Sequence, residues 1–367
     1  MKTSLDSSTV ASLAHALPGG PQMSARLRRI EERHRRLRED PDGCSPCVQI
    51  LVPVAGEPSP EEQFDDPLLM LKTQLDQLRL SWELGDDRLP AVRVNFGTAM
   101  VAHAFGCALA FPTNSLPAAH GPAINDVGEI ASLPAPTLAS GLYPKLFEWT
   151  ELWLRHLPEV VRIQHSDIQS AFNTAHLVRG NDIMTDFYDD PSAIETLLAK
   201  ITDHMIEIVP AFNRAIRNQG GWFADWGAWW QGAARISNCS LHMISPAFYE
   251  DHIRVQDDRF FAAVGGGRMH YCGTHGQTIA AMTANPLLSG IDLDPKLHDF
   301  WKLAETLPPN VVLCTTYTGA RDEFVQRLLR GDWPAKRNLV IYCYCKDMDE
   351  GRATLAGLRA TMPQEKG

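Results

Sequence analysis

Gly265-Gly-Gly-Arg-Met-His-Tyr-Cys-Gly-Thr-His-Gly276 is the stretch on which the reading of this chain turns. Three glycines close one element, residues 267–273 read as a strand, and an apolar, helix-like segment follows. His270 and Cys272 stand two residues apart, so on a strand both side chains leave from one face at its C-terminal end. One imidazole and one thiolate on a common face are half of a zinc site. A third soft ligand is available on the late strand Asn338-Leu-Val-Ile-Tyr-Cys-Tyr-Cys345, where Cys343 and Cys345 again share a face. The same residues also fit a plainer reading, a hydrogen-bonded histidine and small core cysteines.

Working outward, the rhythm of the chain is regular. Strands are expected at 48–54, 89–97, 160–167, 220–227, 235–244, 267–273, 311–317 and 338–345. Helix starts fall between them: Ser59-Pro-Glu-Glu62, Asp189-Asp-Pro191 and Ser245-Pro246 carry capping residues followed by proline or acid. Strands alternating with helices imply parallel βαβ units. With no Gly-x-Gly-x-x-Gly turn, a closed α/β barrel is favoured over a dinucleotide-binding sheet. The expected fold is therefore a (β/α)8 TIM barrel over residues 45–367, preceded by a flexible arm (1–22) and an N-terminal helix (23–44) that Ser24 can cap. The Pro-, Ala-, Ser- and Gly-rich segment 112–145 reads as a long excursion over the barrel face.

Composition limits the partners. The 367 residues carry a formal charge of -10, which argues against a nucleic-acid surface, since phosphate binding needs a basic face. The basic run Arg26–Arg38 reads as a solvated helix face supported by Glu31–Arg35 and Glu32–Arg36 pairs. Eight cysteines are too sparse for a disulfide scaffold, and no secretory signal is evident, so a reducing cytoplasm is expected. The most apolar stretch, Val94 to Phe111, is broken by Asn95, Gly97, His103 and Gly106 and is a poor membrane span.

Other residues belong to one end of the barrel or the other. Cys44-Ser-Pro-Cys47 precedes its strand, so it lies at the N-terminal end, away from the active face. His165, Asp167 and Asp225 end their strands and are candidate catalytic residues. Asp167 and Asp225 would orient a ligand or a metal-bound histidine; helix capping or solvent exposure is the alternative. The dense tryptophans Trp222, Trp226, Trp229 and Trp230 either cover the barrel rim or form a flat wall for an aromatic or corrinoid face. Cys314 falls mid-strand and reads as core.

The order of motifs resembles the uroporphyrinogen decarboxylase superfamily, which includes the decarboxylase and the cobamide-dependent methyltransferases. The resemblance rests on Ala171-Phe172 through Leu177-Val-Arg-Gly-Asn-Asp182, Phe187-Tyr-Asp-Asp-Pro191, Ile244-Ser-Pro-Ala-Phe-Tyr-Glu-Asp-His-Ile253 and His270-Tyr-Cys-Gly273. It implies a (β/α)8 barrel with a deep C-terminal cleft. The decarboxylase branch carries an Arg-x-x-Gly-Arg-Tyr segment after the first strand. Here that place reads Pro53-Val-Ala-Gly-Glu-Pro-Ser-Pro60, without arginine, and a polyanionic tetrapyrrole needs cationic partners. The methyltransferase branch carries His-x-Cys and, seventy-odd residues later, a further cysteine. The resemblance thus implies zinc held by His270, Cys272 and Cys345, with Cys343 as the alternative third ligand. It implies methyl transfer between a corrinoid on a separate protein and a small thiol or an O- or N-methyl compound. A metal-independent decarboxylase and a non-catalytic corrinoid- or tetrapyrrole-binding relative are the alternatives.

Overall fold

Eight parallel strands form the centre of the computed structural model, which describes residues 21–218 and 220–365. They are β1 (Cys47–Leu51), β2 (Ala91–Arg93), β3 (Arg162–Gln164), β4 (Ala234–Ser237), β5 (Gly267–His270), β6 (Leu288–Leu293), β7 (Val312–Thr315) and β8 (Leu339–Tyr344). Six of them pair in the continuous order β1-β8-β7-β6-β5-β4. β2 pairs with β3, and a bridge from Gln169 to Ser237 carries the order on to β4. At the remaining seam, between β1 and β2, carboxylates take the place of a ladder. Val48 N donates to Asp87 Oδ2 at 2.9 Å and Ile50 N to Asp86 Oδ2 at 2.8 Å, so β1 keeps no orphaned donors there. The fold is the α/β TIM-barrel type expected from the alternation.

Strand parity sorts the side chains. Ile236, Met269, Tyr271, Ile291, Leu293, Leu313, Leu339 and Ile341 pack outward into the main core beneath the helices. Val312, Cys314, Val340 and Tyr342 point inward. The N-terminal helix α1 (Pro21–Glu39) closes the N-terminal end: Leu37 packs with Cys47, and Leu27 and Ile30 pack with Leu89 and Ala91. It starts at Pro21, a turn before Ser24; the expected arm lies, for residues 1–20, outside the described residues. No helix among the described residues is long and apolar enough to cross a membrane.

Three strand expectations need correction. Residues 220–227 are not a barrel strand: Trp222–Asp225 pairs antiparallel with Ala228–Gln231. The two turn residues, Trp226 and Gly227, have φ of 48° and 64°, the left-handed pair that a two-residue hairpin requires. Phe223, Ala228 and Trp230 fill the barrel interior beside Val312 and Val340. The eighth barrel strand is instead β6, whose apolar run is interrupted by Ser289, Gly290 and Asp292 and so escapes a periodicity reading. Gly290 is needed there, since a Cβ would lie 2.4 Å from Trp230 Cζ3. Finally, the strand expected over 235–244 ends at Ser237, and residues Cys239–Met243 wind into a 3-10 turn.

Candidate metal centre

β4 and β5 run side by side with Ser237 opposite His270, and Asn238 N donates to His270 O at 2.9 Å. Cys239 lies two residues past Ser237 and Cys272 two past His270, so equal offsets bring both thiols to the same point at the barrel mouth. His270 Nε2 lies 2.7 Å and Cys239 Sγ 2.8 Å from Cys272 Sγ. The three ligand atoms all lie within 4.8 Å of one another. His270 is buried, Cys239 half-buried and Cys272 exposed, so the cluster sits at the end of the interior and faces the cleft.

The other ring nitrogen, His270 Nδ1, makes a short contact with Asp292 Oδ2 on β6. Asp292 is fully buried and also holds Arg268 Nη1 at 3.0 Å. A carboxylate on Nδ1 fixes the ring so that Nε2 faces the sulfurs, the arrangement typical of a metal-binding histidine. Burial would lower the His270 pKa, but the Asp292 charge and hydrogen bond outweigh it and carry it up to about 9. Burial acts against the Asp292 carboxylate too, yet Arg268 and then His270 hold it well below the usual range. At the sulfurs the hydrogen bond from Cys239 holds the Cys272 thiol below its ordinary value, and that bond, with burial, pushes Cys239 well above it. Two sulfurs and an imidazole nitrogen within 4.8 Å of one another are a donor set that suits a soft divalent cation.

Below the cluster, the interior is ionic. Asp225 meets Arg268 Nε at 2.7 Å, Arg235 Nε at 3.9 Å and the Arg93 guanidinium in a short contact. Arg235 also reaches Asp167 at 3.1 Å. Each of the three arginines thus has an aspartate partner, as buried charges must. Trp226 covers this layer: Arg235 lies 5.1 Å and Arg268 5.5 Å from its ring, which stacks on Tyr317 at 5.1 Å and lies 6.1 Å from the His270 ring.

Some residues expected together are thus together and some are not. His270 and Cys272 meet; Asp167 and Asp225 lie beneath them in the ionic layer, and Trp226 lies beside them. Cys345 is elsewhere. Cys343 and Cys345 do share a face of β8, but it is the outer one: both are fully buried in the core under the helices, and Tyr342 takes the inward place. His165 also faces outward, with Nε2 on Asn213 Oδ1 at 2.9 Å and its ring against Phe212. Trp222 lies under Arg35 and Trp229 donates its backbone N–H to His34, so both cover the closed N-terminal end beside α1. Cys44 and Cys47 sit at that end as well, and burial pushes the Cys44 thiol up to about 11. Sequence reasoning missed Cys239 and Asp292. For Cys239 the available signal was its position at the end of the strand neighbouring His270; for Asp292 it was a lone acid in an apolar run.

A parallel α/β barrel with a Cys–His–Cys cluster over a buried ionic layer, at the strand C-termini, defines a barrel protein built around a soft-ligand mouth. The family model described as uroporphyrinogen decarboxylase (URO-D) matches residues 62–314, well over half of the chain, and the protein belongs to that family. Among solved structures the chain is similar to a methyltransferase from Methanosarcina mazei. The two share 18% identity and a TM-score of 0.68, with 90% of this chain and 98% of the other covered. At that identity the likeness speaks for the fold. No curated protein matches the sequence.

Proposed function

We propose that the protein is a zinc-dependent methyltransferase that moves a methyl group between a corrinoid on a partner protein and a small thiol or an O- or N-methyl compound. The observation that carries this reading is the cluster of Cys239, His270 and Cys272 with Asp292 behind it. Three protein ligands leave a fourth position for substrate, and a zinc ion held there would lower the pKa of a bound thiol or polarise a leaving oxygen. Asp292 presents His270 Nε2 to the cleft, Arg268 keeps Asp292 ionised, and Trp226 shields the ionic layer from water. Asp225 and Asp167 act one step further back, as positioning residues that hold Arg268 and Arg235. The known methyltransferase of similar fold and the sequence resemblance support the reaction class. Free thiol ligands suit a reducing cytoplasm. A decarboxylase would leave the sulfur cluster without a part to play.

The test is methyl transfer from methylcobalamin to a panel of small thiols by the zinc-loaded protein, followed by the absorbance of the demethylated cobalamin. Transfer in wild type and its loss in Cys272→Ala are expected. Zinc-loaded protein without transfer in either direction, or a Cys272→Ala variant as active as wild type, would contradict the reading.

A further inference from the structure

Across the barrel mouth from the sulfur cluster lies a second feature. A cavity of about 190 Å³ is lined by Gln49, Arg88, Arg93, Gln164, Trp226 and Tyr317 among others. Arg93, Gln164 and Tyr317 follow or end β2, β3 and β7, and Trp226 is the same ring that lies against His270, so cavity and cluster share one wall.

The polar groups around this cavity are incompletely used. Arg88 Nε and Nη1 are buried with no hydrogen-bond partner, as are Arg93 Nε and Gln164 Oε1. Gln164 and Arg93 are only 8% and 9% exposed, so water at the open surface does not satisfy them. Buried donors and acceptors are normally paired, and a cluster of orphans around one void points to a missing ligand. The charge count narrows it. Arg93 is already paired with Asp225, whereas Arg88 has no carboxylate within ion-pair distance among the described residues, and none lines the cavity. One guanidinium without an ion-pair contact, beside aromatic walls, matches one negative charge on a flat, partly apolar body.

We propose that this cavity binds a carboxylate, held by Arg88 with the Arg93 Nε donor beside it, and that the transferase substrate is accordingly a monoanionic carboxylic acid. Calling the ligand a substrate rests on the methyltransferase reading; the carboxylate site itself does not. An acid anchored at Arg88 would lie along Trp226, the wall shared with the metal cluster. Removing Arg88 leaves no carboxylate unpaired, so its variants are expected to fold as wild type does.

Calorimetric titration with benzoate, benzamide and inorganic phosphate tests this. Benzoate is expected to bind wild type, with benzamide and phosphate weaker. Arg88→Gln should weaken benzoate about tenfold or more, the loss of a charge-assisted hydrogen bond, and Arg88→Lys should recover part of it. Cys272→Ala should bind benzoate as wild type does, so a failed metal reading would leave this result standing. Three results would overturn the proposal: benzamide or phosphate binding as tightly as benzoate, an unchanged affinity in Arg88→Gln, or no benzoate binding in wild type of normal thermal stability.

Discussion

Asp292 serves two buried partners at once, Arg268 at 3.0 Å and His270 through its Nδ1. Asp292→Asn should therefore show two effects. Zinc affinity should fall by about 10–100-fold, as when other carboxylates behind a metal-binding histidine are removed. Unfolding free energy should fall by about 3 kcal/mol, because a buried ionic network loses one charge. Competition with a chromophoric chelator measures the first, and an affinity equal to wild type would remove the orienting role. At this scale the sequence was half legible. The i, i+2 spacing of His270 and Cys272 is enough to put them together on any strand. The same spacing at Cys343 and Cys345 says only that they share a face, and which face is inner depends on how the strand closes the barrel. Cys239 lies past its strand in a 3-10 turn, where no periodicity marks it.

Among the elements, β5 depends on the absence of side chain at its first residue. A Cβ at Gly267 would lie 1.9 Å from Ala234 O, a backbone atom of the paired strand β4. Since β4 and β5 bring Cys239, His270 and Cys272 together, Gly267→Ala should both destabilise the protein, at the upper end of about 1–3 kcal/mol, and loosen the cluster. Urea denaturation measures the first; a variant as stable as wild type would mean the strands separate without cost. The same physics explains what the pattern revealed. β1 and β8 announce themselves as apolar runs before a capped helix start. β6 does not, because Gly290 makes room for Trp230 and Asp292 serves the site. The hairpin at 222–231 imitates a barrel strand because its aromatic residues fill the interior, and only the left-handed conformation of Trp226 and Gly227 turns the chain back.

The whole molecule carries its buried histidines as a pH-dependent load. Burial and then Arg33 lower the His34 pKa to about 3, and burial lowers His204 to about 4. An unfolded histidine takes up a proton near pH 6.5, so the unfolded state gains protons first as the pH drops. Stability is then full above about 6.5 and is lost between there and the folded values. Asp257 works the other way: burial raises it to about 7, so it binds its proton in the folded state first and adds stability as the pH falls below 7. His34→Gln should reduce the slope of stability against pH by up to about 1.4 kcal/mol per unit between pH 6 and 4. Urea midpoints at several pH values report it, and a slope parallel to wild type would mean His34 is not held neutral. The barrel as a whole was legible from strand–helix alternation, because eight repeats average over errors in any one of them. At the mouth β4 and β5 bring Cys239, His270 and Cys272 together, and metal content tests the role of this cluster most directly. Elemental analysis of purified wild type should find about one zinc per chain, with loss in Cys239→Ser and in Cys272→Ser and retention in Cys345→Ser. A metal-free wild type, or zinc that leaves with Cys345 and stays without Cys239, would contradict it.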